Sequence, residues 1–244
     1  MGELSAAMVV IGNEILSGKV VDTNSPFLAS ELRALGVALK RIAVVPDELD
    51  VIADEVRTCH RDYDVVFTSG GVGPTHDDIT IEGVARGLGR SVICHPEIES
   101  KLRAFYGDAI NAARLKMAEV PDGAELITDV SLNFPTLKVE NVYILPGIPE
   151  IFRQKVIGLR SRFQAVPYCL KVVYTRVGEG TIAESLHDTL RAFPDLMLGS
   201  YPKINDPEYS VKVTLESKDT GYVERALQHL LRVLPEGSVI RTEE

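Results

Sequence analysis

The chain has 244 residues, 45% of them hydrophobic and 25% charged, which excludes a disordered chain, a collagen-like repeat and a disulfide-stapled miniprotein. Its net charge of −9 argues against a general binder of nucleic-acid phosphates, so an anionic substrate must be held by local donors or by a metal ion. Cys59, Cys94 and Cys169 are far apart, with no metal-ligand spacing, and read as buried free thiols of a reducing compartment. The apolar run 6–11 is too short for a signal-peptide core or a membrane span, so a cytoplasmic location and no membrane partner are expected.

That run 6–11 is continuous, as in a strand buried on both faces of a parallel sheet. A helix follows, with Ser25 as its cap, Pro26 in its first position, Leu28, Leu32 and Leu35 on one face and Gly36 as its stop. Strand 38–45 leads to a second helix capped by Asp47, with Leu49, Ile52, Ala53 and Val56 aligned. Strand 64–68 ends at Ser69-Gly70-Gly71, and Ile81, Val84, Ala85 and Leu88 mark a third helix stopped by Gly89. Alternating strands and helices predict parallel strands with right-handed crossovers. The expected fold is a doubly wound α/β domain.

Residues 96–119 read as one or two helices, 137–139 and 142–145 as a short hairpin. After Pro146-Gly147 comes a helix with Phe152, Val156, Leu159 and Phe163 on one face. Its Arg153, Lys155, Arg160 and Arg162 form a basic stripe expected to be solvated. From about residue 168 the pattern becomes β-α-β-β-α-β, the order of a ferredoxin-like sandwich. There Thr181 and Glu184 are spaced as a capping box. The boundary is placed around Pro167, giving an α/β domain of residues 1–165 and a small α+β domain of residues 168–244.

In open α/β sheets, ligands bind beyond the carboxyl ends of the strands. The first such loop runs from Gly12 to Gly18 and includes Glu14. Five residues separate its glycines and Val20 replaces a magnesium-binding hydroxyl, so it is no P-loop, although its glycines let a phosphate approach the backbone. The second loop offers Asp47. The third is Ser69-Gly70-Gly71-Val72-Gly73-Pro74-Thr75-His76-Asp77-Asp78-Ile79-Thr80, whose glycines suit an anion nest and whose following helix adds its positive end. Asp77 and Asp78 would repel a phosphate unless a divalent cation sits between. His76 has no visible orienting partner, and no Ser-His-Asp or Cys-His arrangement can be assembled.

This third stretch closely resembles the signature of the molybdopterin-binding (MogA-like) domain, and within that superfamily the competence-damage-inducible CinA branch. Matching segments are Gly12 to Gly18 with Glu14, Val21-Asp22-Thr23-Asn24-Ser25, Val45-Pro46-Asp47-Glu48, Asn111-Ala112-Ala113-Arg114 and Leu145-Pro146-Gly147-Ile148-Pro149-Glu150. The resemblance spans residues 5 to about 163. The carboxy-terminal domain, with Gly199-Ser200-Tyr201-Pro202, resembles the small domain that follows in the same branch. Leu132-Asn133-Phe134-Pro135 and residues 139–149 look more like the module of eukaryotic FAD synthase. The 244 residues include neither the amidase domain of full-length CinA nor the adenylyltransferase domain of FAD synthases, so neither activity is expected of them.

The resemblance implies a metal-dependent nucleotide pyrophosphatase hydrolysing an ADP-ribose- or FAD-like diphosphate. The alternative is a molybdopterin or molybdenum-cofactor binding protein without hydrolase activity, and a third reading is a subunit whose catalytic partner lies on another chain. Under the leading reading Asp47, Asp77 and Asp78 hold Mg²⁺, or Co²⁺ or Mn²⁺, with K⁺ a further candidate cofactor, and activate a bound water. Gly70, Gly71, Gly73, Pro74, Thr75 and Thr80 cradle the diphosphate. Gly12, Glu14, Gly18, Asp22 and Asn24 form one flank, and Pro146, Gly147 and Pro149 another wall. The expected partner is a small-molecule nucleotide or pterin, not a nucleic acid. A homo-oligomer, dimer or trimer, is implied by resemblance alone.

Overall fold

A computed structural model describes residues 3–128, 134–163, 165–204 and 207–243. The chain forms two compact units, Met1–Ala165 and Val166–Glu244. The first is built on a six-stranded sheet. Strands β1 (Ser5–Ile11), β2 (Ala38–Val45) and β3 (Val65–Ser69) alternate with helices α1 (Asn13–Leu16), α2 (Asn24–Ala34) and α3 (Leu49–Asp62), and α4 (Thr80–Gly87) follows β3. The chain then leaves the sheet through β4 (Val92–Cys94), α5 (Pro96–Tyr106), a 3-10 turn, α6 (Ala112–Lys116) and β5 (Glu119–Pro121). It returns as β6 (Glu125–Ile127), β7 (Thr136–Val139) and β8 (Val142–Leu145), followed by α7 (Pro149–Gly158) and a second 3-10 turn, Arg160–Arg162. The sheet order is β2-β1-β3-β8-β7-β6. Its first four strands are parallel, and the β7–β8 and β6–β7 pairs are antiparallel.

The continuous apolar run of β1 divides between two cores with period two. Ala6, Met8 and Val10 pack with Leu28 and Leu32 of α2 and Phe152 and Val156 of α7. Ala7, Val9 and Ile11 pack with Ile52 and Val56 of α3 and Val84 of α4. Helices on both faces are what make the expected doubly wound layering. A smaller core of Ile98, Leu102, Ala118 and Val120 holds the excursion between α4 and β6 together. The second unit folds as β9 (Cys169–Thr175), α8 (Glu179–Ala192), β10 (Met197–Pro202), β11 (Val211–Ser217), α9 (Thr220–Val233) and β12 (Val239–Glu243). Its sheet order β10-β11-β9-β12, antiparallel throughout, is that of the expected ferredoxin-like sandwich.

Several local expectations change. Ser25 does not cap α2: the helix begins at Asn24, and Asp22 Oδ1 accepts the N–H groups of Asn24 (2.9 Å) and Ser25 (3.0 Å). Pro26 thus sits third in the helix, where its missing N–H is still one the first turn leaves unbonded. Asp47 does not cap α3, whose cap position is Glu48. The Thr181–Glu184 box is not formed, because α8 starts at Glu179 and Thr181 N–H already donates to Gly178 O (3.0 Å) inside the first turn. The β4–β5 ribbon has no counterpart in the sequence reading, since three-residue strands show no alternation. All three cysteines are free, but Cys59 alone is buried; Cys94 is exposed on that two-stranded ribbon and Cys169 is half-buried. Lys155 is not solvated: it is 6% exposed, because it lies three residues after Phe152 and four before Leu159, on the apolar stripe itself. The other basic side chains of that stretch do lie at the surface, with Arg153 over the Phe27 ring and Arg160 paired to Glu31. Leu132 and Asn133 lie outside the described residues.

Candidate functional site

The carboxyl ends of β1, β3 and β8 lie side by side, with Val10 opposite Ser69 and Ser69 opposite Leu145. The glycine loop leaves β3 through a tight exit. Gly70 has φ +107°, and a Cβ there would fall 2.2 Å from the Ile11 carbonyl oxygen. Gly71 has φ +62°, and its Cβ would fall 2.3 Å from Thr80 Oγ1. Only glycine tolerates both the conformation and the approach. Buried Thr80 locks the turn from beneath, donating through Oγ1 to Gly70 O (2.8 Å) and through its N–H to Gly71 O (3.0 Å). Gly70 N–H is spent on Leu145 O (3.2 Å). Among the described residues no acceptor takes the N–H groups of Gly71, Val72 and Gly73, so three backbone donors of this loop are unspent.

Asn24 fastens the neighbouring wall. From its buried place at the start of α2 its Nδ2 donates to Ser69 Oγ (3.0 Å) and Gly147 O (2.9 Å), and Gly147 in turn lies against Gly70, where a Cβ would sit 3.3 Å from the Gly70 Cα. Asn24→Ala removes both bonds and takes the donor from the buried Ser69 hydroxyl, so urea denaturation should show a loss of about 2 kcal/mol. A loss below about 0.5 kcal/mol would rule out this fastening role.

The acidic residues do different jobs. Asp78 Oδ2 accepts Thr75 N–H (2.8 Å) and the Thr75 hydroxyl, and lies against Gly73 of the glycine loop. Asp77 is 58% exposed beside His76, whose side chain is 97% exposed. Asp47 accepts Asn13 N–H through Oδ2 (2.8 Å), tying the first loop to the end of β2. Among the described residues no three His, Cys, Asp or Glu side chains gather in metal-holding geometry, so Asp47, Asp77 and Asp78 do not form a ready-made cage. A backbone bond occupies Asp47, and Asp77 lies at the surface. Of the three, Asp78 alone lines the cleft with the glycine loop, so a magnesium-like ion held there would need its other ligands from substrate and water.

The glycine loop borders a cleft of about 690 Å³ lined by Glu14, Gly70, Gly71, Gly73, Pro74, Asp78, Pro146 and Gly147 among the expected residues. Asp22, Asn24 and Pro149 line a smaller recess of about 90 Å³ that shares Glu14, Gly70 and Gly147 with it. Gly12, Gly18, Asp47, Thr75, Asp77 and Thr80 line neither.

Sequence reasoning missed the cleft's cations. Lys116, on α6, donates to Asp78 O (2.8 Å) and pairs with Glu82 (3.3 Å), and it lines the cleft. Lys155 lines it too, donating to Pro135 O (2.8 Å), Phe134 O (3.0 Å) and Thr136 Oγ1 (3.4 Å). Burial pushes its pKa down to about 8. Lys155 was findable from its place on the apolar stripe of α7. Lys116 carries no such signal, because α6 reaches the glycine loop only through tertiary packing.

Residues 7–158 match the family described as probable molybdopterin binding domain, and residues 167–243 match the FAD synthase middle domain. A protein of Archaeoglobus fulgidus is 34% identical over 227 residues, covering 93% of this chain and 96% of its own. A probable FAD synthase of Caenorhabditis elegans is 30% identical over 258 residues, covering 94% of this chain; the chain spans 50% of that relative's length. The crystal structure of the protein CinA, of unknown function, from Thermoplasma acidophilum is similar with a TM-score of 0.61 at 32% identity, covering 66% of this chain and 99% of that one. No helix among the described residues is long and apolar enough to cross a membrane.

Proposed function

The chain belongs to the family of probable molybdopterin binding domains and carries a FAD synthase middle domain behind it, and on that premise we propose that it is an enzyme hydrolysing a nucleotide diphosphate of the ADP-ribose or FAD type with a divalent metal. The observation that carries this reading is the three unclaimed N–H groups of Gly71, Val72 and Gly73 in the lining of a large cleft that Lys116 also lines. In a chain of net charge −9, such a local concentration of donors is what an anionic ligand needs.

These N–H groups receive the diphosphate oxygens, and Lys116, held at the Asp78 carbonyl, adds positive charge at the same edge. Asp78, its carboxylate oriented by Thr75, would hold Mg²⁺, Co²⁺ or Mn²⁺. When bound, that ion neutralises phosphate charge and lowers the pKa of a coordinated water. The apolar remainder of the cleft takes the base or ring. Asn24 and Gly147 hold the loop's outer wall in place, as described above.

The test is incubation of the purified chain with ADP-ribose, FAD and related diphosphates, with and without Mg²⁺ or Co²⁺. Metal-dependent release of a nucleoside monophosphate is expected; no cleavage of any diphosphate would sink the hydrolase. Tight pterin binding with diphosphates ignored would favour the second reading, a molybdopterin-binding protein without hydrolase activity, which the family match over residues 7–158 supports. Asp78→Ala is expected to lower metal-dependent cleavage about 100-fold or more with an unchanged circular dichroism spectrum. Full activity in that variant would remove Asp78 from the metal.

A further inference from the structure

We propose that the free edge of β2 pairs antiparallel with the same edge of a second copy of this chain, Ile42 opposite the partner's Val44, to make one sheet across a twofold axis. The inference is independent of how the cleft is read. β2 ends the sheet order β2-β1-β3-β8-β7-β6, so among the described residues one side of its backbone has no strand beside it. Edge strands are usually kept from pairing by charge, proline or a covering segment. Here Ile42, Ala43, Val44 and Val45 run uninterrupted, and Ile42 and Val44 are 48% and 38% exposed. Their neighbours on β1, Met8 and Val10, belong to the core under α2 and α7, so both side chains carry that core to the rim of the sheet. Leu16, on the short helix α1 that packs against β2, is exposed as well.

Backbone direction fixes the register. Val45 O accepts Gly12 N–H (3.1 Å), so the polar backbone groups of Val45 face β1. Such groups turn to opposite sides at successive residues of a strand, and the β1–β2 register is unbroken from Ala7 opposite Arg41 to Ile11 opposite Val45. Ala43 therefore faces β1 too, and the N–H and C=O of Ile42 and Val44 point away from the sheet. In an antiparallel pair, two opposed residues that face each other in this way exchange both hydrogen bonds. Ile42 opposite the partner's Val44 makes two such pairs, with the axis between the two copies of Ala43, and gathers four apolar side chains on one face. The charges agree with this choice. Lys40 and Arg41 precede the apolar run, and Asp47 and exposed Glu48 follow it, so antiparallel pairing brings the basic end of each strand to the acidic end of the other. Within one copy Lys40 pairs with Glu3 (3.1 Å) at the surface, a contact weak enough to be exchanged. An edge contact of this kind lies at the small end of specific interfaces, so the dimer is expected to dissociate on dilution.

Sedimentation equilibrium of the full chain over a dilution series is the test. The wild type is expected to form a dimer that weakens with added salt. Val44→Pro removes an N–H that points away from the sheet, so it spares the β1–β2 bonds and should abolish the dimer. Ile42→Lys places a charge on the pairing edge without touching the backbone and should weaken association about 10-fold or more. Circular dichroism and urea denaturation report whether the variants are folded; should Val44→Pro fail to fold, Ile42→Lys decides. Lys40→Glu and Glu48→Lys each set like charges together in a homodimer and should each weaken association. Mixed in equal amounts, they restore opposite charges at both ends and should pair with each other at wild-type strength, a rescue that no misfolding of either variant explains. A wild type that stays monomeric at every concentration overturns the proposal. So does an oligomer that Ile42→Lys leaves unchanged, because its contacts lie elsewhere. Failure of the mixture to associate better than the separate variants overturns the register.

Discussion

Gly70→Ala should destabilise the first unit by about 3 kcal/mol or more and abolish ligand binding at the glycine loop. Two costs combine at that position. The backbone sits at φ +107°, and the new Cβ would meet the Ile11 carbonyl oxygen at 2.2 Å. Holding a non-glycine residue in so rare a conformation costs about 1–3 kcal/mol, and forcing atoms into a packed core costs a similar amount. Ile11 is the last residue of the central strand β1 and cannot retreat without disturbing its pairing with β2. Gly18 provides the control: its φ is +70°, yet a Cβ there meets nothing within 4 Å, so Gly18→Ala should cost only about 1 kcal/mol. Urea denaturation of the two variants measures the difference. Equal losses would show that the exit from β3 is not constrained as described.

The second large effect is a pH dependence. Lys155 ionises at about 8 in the folded chain against 10.5 for a free lysine. Between those values the unfolded chain holds a proton that the folded chain has released, so folding stability rises with pH across the window. Below pH 8 both states are protonated and the burial cost is present in full. Relative to Lys155→Met, which lacks this titration, the wild type should therefore gain up to about 3 kcal/mol from about pH 8 to about pH 10.5. Unfolding free energies of both proteins at several pH values decide the matter. A difference that stays flat, or falls, would mean that Lys155 is not a buried cation.

The main layers of the first unit are legible because long apolar segments with clear periods announce themselves. β1 reads as buried on both faces, and it divides alternate residues between two cores. The glycine loop is legible too, since positive-φ turns at a strand end demand glycine. What escapes are features whose reason lies across the fold. Asp47 suits a helix cap by position, but tertiary packing brings Asn13 N–H to its carboxylate. Asp22 rather than Ser25 serves the first turn of α2, a choice between near neighbours that spacing does not decide. The charge of Lys155 suggests a solvated stripe, whereas its helical position decides its burial. Lys116 becomes part of the cleft only because the excursion between α4 and β6 folds back over the glycine loop.

That excursion means the two walls of the cleft are held with unequal strength. The glycine loop grows from the central strands of a six-stranded sheet, whereas α5 and α6 stand on a four-residue core and a ribbon of two three-residue strands. Segments with so little buried apolar surface open as separate cooperative units, at free energies well below that of global unfolding. Amide protons of residues 96–118 should thus exchange with solvent long before those of β1 and β3. A ligand that touches both walls would close this gap, so its affinity would include the free energy of holding one half of its own binding site shut.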